Sequence, residues 1–122
     1  MGFDVASHVG YDCYEVVRVP FPFTDRNTSK NRPAVILSDA KAFNTPAGHS
    51  VMAMITSQAN PPWPLDCVLT DLAAAGLPAP SRVRFKLFTL DHRLVRGIVG
   101  HLSPADIAQV RAGLTRLLGG TP

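Results

Sequence analysis

Histidines are the residues of this sequence best suited to move protons at neutral pH, because the pKa of a free imidazole is about 6.5. The chain has four of them, His8, His49, His92 and His101. We interpret each as a surface or loop residue, with a structural place for His101 just before the last predicted helix. Cys13 and Cys67 form no Cys-x-x-Cys pair and no cluster with histidine, so they are interpreted as ordinary thiols.

A basic stripe occupies residues 82–87, where the sequence reads Arg-Val-Arg-Phe-Lys-Leu. At the two-residue period of a strand, Arg82, Arg84 and Lys86 fall on one face and the apolar side chains on the other. Such a face can bind phosphates, and a solvated outer surface explains it equally well. The net charge of +3 is compatible with nucleic-acid binding but is weak evidence for it.

The motifs of several large enzyme classes are missing. The sequence contains no phosphate-binding glycine loop, no His-Glu-x-x-His and no Gly-x-Ser-x-Gly. These absences argue against the common nucleotide-binding, metalloprotease and α/β-hydrolase functions and leave polar loop residues as candidates. No acidic cluster with metal-ligand spacing stands out along the sequence, and no cofactor is predicted.

Short apolar runs predict the elements that must position these side chains. Five or six strands are expected, at 15–19, 33–37, 50–55, 66–72, 82–87 and 94–99. Pro20 and Pro22 are expected to stop the first ladder, and a long polar loop then leads to the second strand. One short helical turn is expected near 40–43.

A C-terminal helix is predicted after the strands. Ser103 suits its N-cap, Pro104 its first position, and Asp106 the positive end of its dipole. An apolar stripe recurs at helical spacing on Ile107, Val110, Leu114 and Leu117. The sequence therefore predicts one domain, mainly β with a C-terminal helix and built as a small barrel. With no signal peptide and no run of roughly 20 apolar residues, the expected location is the cytoplasm, with no membrane partner.

Several segments, taken in order, resemble the PemK/MazF toxins. Residues 16–25 (Val-Val-Arg-Val-Pro-Phe-Pro-Phe-Thr-Asp) resemble the opening strand and loop of these toxins. Residues 31–38 (Asn-Arg-Pro-Ala-Val-Ile-Leu-Ser) resemble the second strand, and 55–57 (Ile-Thr-Ser) the end of the third. The family's later order follows at Gly76-Leu77, Pro80-Ser81, Thr89-Leu90-Asp91 and Gly100-His101-Leu102-Ser103. One departure is clear, because the family usually has Gly-Asp where this chain has Tyr14-Glu15.

The resemblance implies an SH3-like barrel of the PemK/MazF/CcdB type, divided into an arm (1–13), a toxin domain (14–118) and a tail (119–122). It implies a homodimer that cleaves single-stranded RNA at short sequences without a metal, leaving a 2′,3′-cyclic phosphate. It also implies a cognate antitoxin whose flexible segment occupies the RNA groove.

The resemblance further implies Arg32 and Thr56 as the catalytic residues. Cleavage by the RNA's own 2′-hydroxyl needs removal of the 2′ proton, stabilisation of charge at phosphorus and protonation of the leaving 5′ oxygen. The planar fork of Arg32 suits two phosphate oxygens, and a guanidinium is a poor base, so we assign it to charge stabilisation. Thr56 can hydrogen-bond the phosphate or orient the 2′-hydroxyl. Without the resemblance, Arg32 would be interpreted as a surface ion-pair residue and Thr56 as a plain strand residue.

Further residues near these two are candidate RNA contacts. Phe21 and Phe23 could stack bases, and they could equally cover a core. The polar and basic candidates are Arg26, Lys30, Ser57, Gln58, Arg84 and Lys86.

Two other functions remain open at this point. The related CcdB proteins share the barrel and poison DNA gyrase without cutting RNA, so the fold alone does not fix the activity. A catalytically weak relative that binds RNA or an antitoxin as a regulator is the second alternative, and the change to Tyr14-Glu15 is the one feature that favours it.

Overall fold

The computed structural model describes residues 10–22 and 30–121, in which six strands form one curled antiparallel sheet of order β4-β5-β3-β2-β1-β6. The strands are β1 (Glu15–Phe21), β2 (Lys30–Ile36), β3 (His49–Ser57), β4 (Cys67–Val68), β5 (Ser81–Asp91) and β6 (Ile98–His101). The helical elements are a π turn (Ala40–Asn44), α1 (Thr45–Ala47), α2 (Leu72–Ala75), a 3₁₀ turn (His92–Leu94) and α3 (Pro104–Leu117). This half-barrel with a C-terminal helix confirms the predicted fold class.

Alternate residues of the strands enter two apolar clusters on opposite faces of the sheet, as the two-residue period requires. The helix-side cluster takes Val16, Val35, Ala53, Ile55, Val83 and Phe85 from the strands and Val110 from α3. The far-side cluster consists of Val17, Val19, Ala34, Ile36, Met52 and Leu90, with Phe88 packed against it. The sheet therefore carries a core on each face.

The C-terminal helix begins where the sequence predicts. The hydroxyl of Ser103 accepts a hydrogen bond from the Asp106 N–H at 3.3 Å, and Pro104 is the first helical residue. Val110 is fully buried, and Ile107 and Leu114 pack on the helix-side cluster. Leu117, the last residue of the predicted stripe, is 39% exposed.

Asp106 is 1% exposed and does more than complement the helix dipole. Its carboxylate accepts hydrogen bonds from the N–H and hydroxyl of Thr70 and from the N–H of Asp71. Burial alone would raise the pKa of Asp106, but these hydrogen bonds outweigh it and hold the pKa below its usual value. Asp106 therefore ties the chain after β4 to the start of α3.

The predicted fourth strand at 66–72 is wrong in length, because only Cys67–Val68 pairs with β5. The amides of Thr70 and Asp71 bond to the Asp106 carboxylate, and Asp71 then caps α2 by accepting from the Ala74 N–H. The last predicted strand is also shorter and later than expected, since residues 92–94 form a 3₁₀ turn.

The expectation that Pro20 stops the first ladder is also wrong. β1 continues to Phe21, and Pro20 stands opposite Asn31. The Arg18 N–H donates to the Gly97 carbonyl, on the side of β1 that faces β6. A backbone N–H at position 20, two residues later, would point to the same side of the strand. The paired part of β6 reaches only Glu15–Val17, so a residue without an N–H is tolerated at position 20.

Tyr14, at the position where the family usually has glycine, has a φ of 67°. This left-handed backbone costs a residue with a Cβ about 1–2 kcal/mol. The Tyr14 N–H donates to the Ile36 carbonyl, its carbonyl accepts from Leu102, and its ring packs on the helix-side cluster. Hydrogen bonds and packing therefore hold Tyr14 in this left-handed backbone conformation.

Gly76 and Gly100 let the end of α2 lie directly on β6. A Cβ on Gly100 would lie 2.3 Å from the carbonyl carbon of Ala75, and one on Gly76 would lie 2.0 Å from the Val99 oxygen. Because backbone must move to admit a methyl group, Gly100→Ala is expected to lower the free energy of unfolding by about 1–3 kcal/mol. Urea denaturation measures the change.

Gly10→Ala is the matched control for this substitution. A Cβ on Gly10 makes only an ordinary contact, at 3.4 Å from the Thr45 hydroxyl. It should change the free energy of unfolding by less than about 1 kcal/mol. Equal effects of the two substitutions would show that the α2–β6 contact yields easily.

His92 is predicted to make the protein less stable in mild acid. Its Nε2 lies 2.7 Å from the hydroxyl of the fully buried Ser50, and its ring meets that of Tyr11 edge-on. Burial, followed by the charge of His49, lowers the pKa of His92 below its ordinary 6.5. The unfolded chain then binds a proton that the folded chain resists, so stability falls as the pH drops from 6.5 to the lowered folded pKa.

Urea unfolding of native protein and His92→Gln at pH 7 and pH 5 measures this loss. The native protein should lose more stability than the variant, because glutamine does not titrate. The same loss in both proteins would remove His92 as the cause.

Candidate functional site

A cleft of about 440 Å³ opens at one end of the far face of the sheet, beyond the far-side cluster. Met54 and Thr56 continue the side of β3 that carries Met52. Arg32 and Arg84 fall on the same side, because Ala34 and Arg84 both pair with Met54. The described residues lining the cleft are Phe21, Arg32, Pro33, Met54, Ile55, Thr56, Ser57, Asn60, Leu77, Pro78, Ala79, Pro80, Ser81, Arg84 and Lys86.

Arg32 lines the cleft, and its backbone is held by a paired strand. It stands opposite Val19 in the β1–β2 ladder, and its guanidinium carbon lies 5.9 Å from the centre of the exposed Phe21 ring. The residue is exposed, so its donors can reach a bound anion. The β1–β2 ladder fixes the backbone of Arg32 and leaves the fork at the end of its side chain to bind.

Thr56 is oriented by a residue that sequence reasoning missed. The side-chain N–H of Asn60 donates to the Thr56 hydroxyl oxygen at 2.6 Å. The chain after β3 turns back towards Thr56 because the backbone N–H of Asn60 donates to the Ser57 carbonyl. With its oxygen accepting from Asn60, the Thr56 hydroxyl can direct its own proton into the cleft. The arrangement therefore favours Thr56 as a hydrogen-bond donor.

Asp66 clamps the loop that connects β3 to β4. Its side chain is 6% exposed and receives Arg84 in a forked pair, with Nε at 3.2 Å and Nη2 at 2.9 Å, while Arg82 approaches to 3.5 Å. Arg84 also donates to the Pro61 carbonyl, and Arg82 to that of Gln58. Burial alone would raise the pKa of Asp66, but the Arg84 fork and the Trp63 N–H outweigh it and lower the pKa. The basic stripe is therefore partly neutralised by Asp66.

Trp63 lies over the basic stripe, outside the core. The Lys86 ammonium is 4.6 Å from the centre of an indole ring and the Arg84 guanidinium carbon is 5.5 Å away, which are cation–π distances. The residue is nevertheless 45% exposed. A single tryptophan in a proline-rich segment soon after Thr56 was the sequence signal that could have singled it out.

The structure brings six of the ten predicted site residues into the cleft. Lys30 begins β2 but does not line the cleft, and Gln58 contributes its carbonyl to the Arg82 clamp. Phe23 and Arg26 lie outside the described residues. The six that line it are Phe21, Arg32, Thr56, Ser57, Arg84 and Lys86.

The described histidines stand elsewhere. His49 begins β3, His92 lies in the 3₁₀ turn and His101 ends β6, whereas His8 is outside the described residues. None of the three described histidines lines the cleft. His101 is exposed and the His49 side chain is 43% exposed, which agrees with their interpretation as surface residues, although both lie in strands. His92 lies in a turn but is half-buried.

The folded chain contains one group of potential metal ligands in the part that the structure describes. It joins the neighbouring residues Asp12 and Cys13 to the distant Asp39, and the ligand atoms of the three lie within 4.8 Å of one another. The carboxylates already accept backbone hydrogen bonds, from Cys13 and Ala40 for Asp12 and from Ala42 for Asp39. Hydrogen bonding to backbone N–H groups in two turns therefore explains why the Asp12 and Asp39 carboxylates lie close together. The other thiol, Cys67, is buried, and burial raises its pKa to about 11.

Comparisons with known proteins agree with the fold and with the order of the motifs. Residues 12–118 match the family model of the PemK-like, MazF-like toxins of type II toxin–antitoxin systems. The chain therefore belongs to the PemK/MazF toxin family. No curated protein sequence matches it.

Solved structures of three relatives share the fold. The MazE–MazF complex of Deinococcus radiodurans has a TM-score of 0.72 at 25% identity, covering 91% of this chain and 98% of the other. A mycobacterial endoribonuclease solved with its cognate antitoxin has a TM-score of 0.69 at 18% identity, covering 93% and 96%. The Mycobacterium tuberculosis toxin MazF-mt6 has a TM-score of 0.69 at 16% identity, covering 88% of this chain and 99% of the other. Within the described residues, no helix has the length and apolar character needed to cross a membrane.

Proposed function

We propose that this chain is the endoribonuclease toxin of a type II toxin–antitoxin system, cutting single-stranded RNA at specific short sequences in the cytoplasm. The observation that carries the proposal is that Arg32, Thr56 and Lys86 line one open cleft. Membership of the PemK/MazF family and the endoribonucleases among the structural neighbours support the same activity.

The proposed reaction is attack of a ribose 2′-hydroxyl on the adjacent phosphorus. The bond from phosphorus to the 5′ oxygen breaks, the 2′ proton is transferred away and the leaving oxygen gains a proton. The products are a 2′,3′-cyclic phosphate and a 5′-hydroxyl end. No metal is required in this proposal, because cations and hydrogen-bond donors can stabilise the charge.

Arg32 and Thr56 have complementary roles in this reaction. Two donors of the Arg32 fork bind the phosphate oxygens that gain charge in the transition state. Thr56, held by Asn60 as a donor, adds a hydrogen bond to the same group. Lys86 and Ser57, at the edges of the cleft, bind neighbouring phosphates.

Two partners belong to the proposal. Relatives of this fold are solved with antitoxins, which supports a cognate antitoxin for this chain. A homodimer is the assembly that the family implies.

Native protein incubated with a long single-stranded RNA in excess EDTA tests the activity. The expected result is cleavage at a recurring short sequence, with 5′-hydroxyl ends that accept phosphate from polynucleotide kinase without prior phosphatase treatment. Folded protein that leaves the RNA intact would overturn the enzyme proposal, and a gyrase-inhibition assay would then test the CcdB-like alternative.

A further inference from the structure

Trp63 is exposed although burying its ring would contribute strongly to a core of this size. It is the only tryptophan of the chain and is 45% exposed. Tryptophan is the residue that gains most from burial per side chain, so an exposed one held in place indicates binding.

Its position is fixed from the backbone outwards. The Trp63 N–H donates to the Asp66 carboxylate at 2.9 Å, and its carbonyl accepts from the Asp66 N–H at 3.1 Å. Asp66 is in turn held by the Arg84 fork, and Arg84 also binds the Pro61 carbonyl at 2.7 Å. The backbone of Trp63 is therefore ordered before a ligand binds, which lowers the entropy lost on binding.

The charges beside the ring define the kind of ligand. Arg84 and Lys86 both approach the indole from β5, and both line the cleft that holds Arg32 and Thr56. A flat group can stack on the exposed part of the ring while a phosphate attached to it reaches Lys86. A nucleotide within a single strand has both parts, and unpaired bases stack on aromatic side chains in this way.

We propose that the Trp63 indole is a stacking platform for one unpaired base of the RNA strand, with Lys86 binding the adjoining phosphate. The proposal rests on the proposed function and adds a subsite next to the catalytic pair. The platform holds the strand beside the reacting phosphate, and it discriminates single strands from duplexes, whose bases are already stacked.

The fluorescence of the one tryptophan tests the platform. Native protein is titrated with 2′-O-methyl oligouridylate and oligoadenylate, which lack the attacking hydroxyl and stay intact, and with an abasic strand of equal length. We expect both base-bearing strands to quench Trp63 and the abasic strand to leave its emission nearly unchanged. Because Trp63→Ala has no tryptophan, its binding is followed by the fluorescence anisotropy of end-labelled strands. The variant should bind the base-bearing strands about 5- to 150-fold more weakly than native protein and the abasic strand equally well.

Two variants separate stacking from folding. Trp63→Phe keeps an aromatic face and should retain most of the affinity, whereas Leu118→Ala, at a 71% exposed apolar residue near the end of α3, should bind like native protein. Thermal unfolding of each variant shows whether it is folded.

The outcomes distinguish this proposal from the proposed function. RNA cleavage with unquenched Trp63 emission, or with Trp63→Ala fully active, would overturn the platform and leave the ribonuclease intact. Emission that changes with protein concentration alone would place Trp63 between two copies of the chain and also overturn it. Native protein that neither binds nor cuts RNA would overturn both.

Discussion

Arg32→Ala is expected to slow RNA cleavage by about 10²–10³-fold, the usual cost of removing one donor that stabilises transition-state charge. The loss should appear mainly in kcat, because the phosphate charge that Arg32 meets develops during the reaction. The rate of cleavage of a short RNA containing the mapped sequence, under single-turnover conditions, measures it.

The substitution should leave the fold intact, because Arg32 is exposed and its backbone is held in the β1–β2 ladder. Arg116→Ala, an exposed arginine in the last turn of α3, removes the same charge away from the cleft and serves as the control. If both variants lose the same small factor, general attraction for RNA is the cause and Arg32 has no catalytic role.

Asp66→Ala is expected to lower the free energy of unfolding by about 3–5 kcal/mol, the cost of leaving buried charges without their partner. The side chains of Arg82 and Arg84 are only 12% and 14% exposed, and both depend on Asp66 for compensation. The Nε of Arg82 is already buried without a partner among the described residues, so the clamp has no spare acceptor. Urea unfolding followed by circular dichroism measures the loss.

Asp71→Ala provides the comparison for Asp66. Asp71 is exposed and caps α2 through the Ala74 N–H, so its removal should cost only about 1 kcal/mol. In the double variant Asp66→Ala with Arg84→Ala, the cost should be less than the sum of the two single costs, because the charges are coupled. Additive costs would mean that the forked pair contributes little to stability.

The fold was largely predictable because its signals are local. Alternation in 82–87, the cap at Ser103 and the stripe through Val110 each depend on neighbouring residues, and the strand and the helix that they predict are present. The strand continues to Asp91, and Leu87 is exposed where the pairing with β3 shifts register. The failures involve distant partners. Residues 66–72 are suited to a strand. The backbone N–H groups of Thr70 and Asp71 instead donate to the buried carboxylate of Asp106, which lies 36 residues after Thr70. Sequence spacing alone does not reveal such a contact.

The site was predictable where a motif marked it. Arg32, Thr56 and the basic stripe come from three strands, and the two-residue period together with the sheet order places them on one face. Asn60, Trp63 and Asp66 were missed because their importance comes from the folded loop between β3 and β4. Asn60 bonds to the Thr56 hydroxyl, Trp63 lies beside two cations, and Asp66 receives the Arg84 fork. These contacts form only in the folded chain, and the residue types alone do not reveal them.

The two apolar clusters have a consequence for how the molecule unfolds. β1, β2, β3 and β5 each contribute residues to both clusters, so none of these four strands belongs to one cluster alone. Separating any pair of these strands exposes apolar surface on both faces together. Opening the sheet between these four strands is therefore costly, and we expect them to unfold as one cooperative unit rather than as two subdomains.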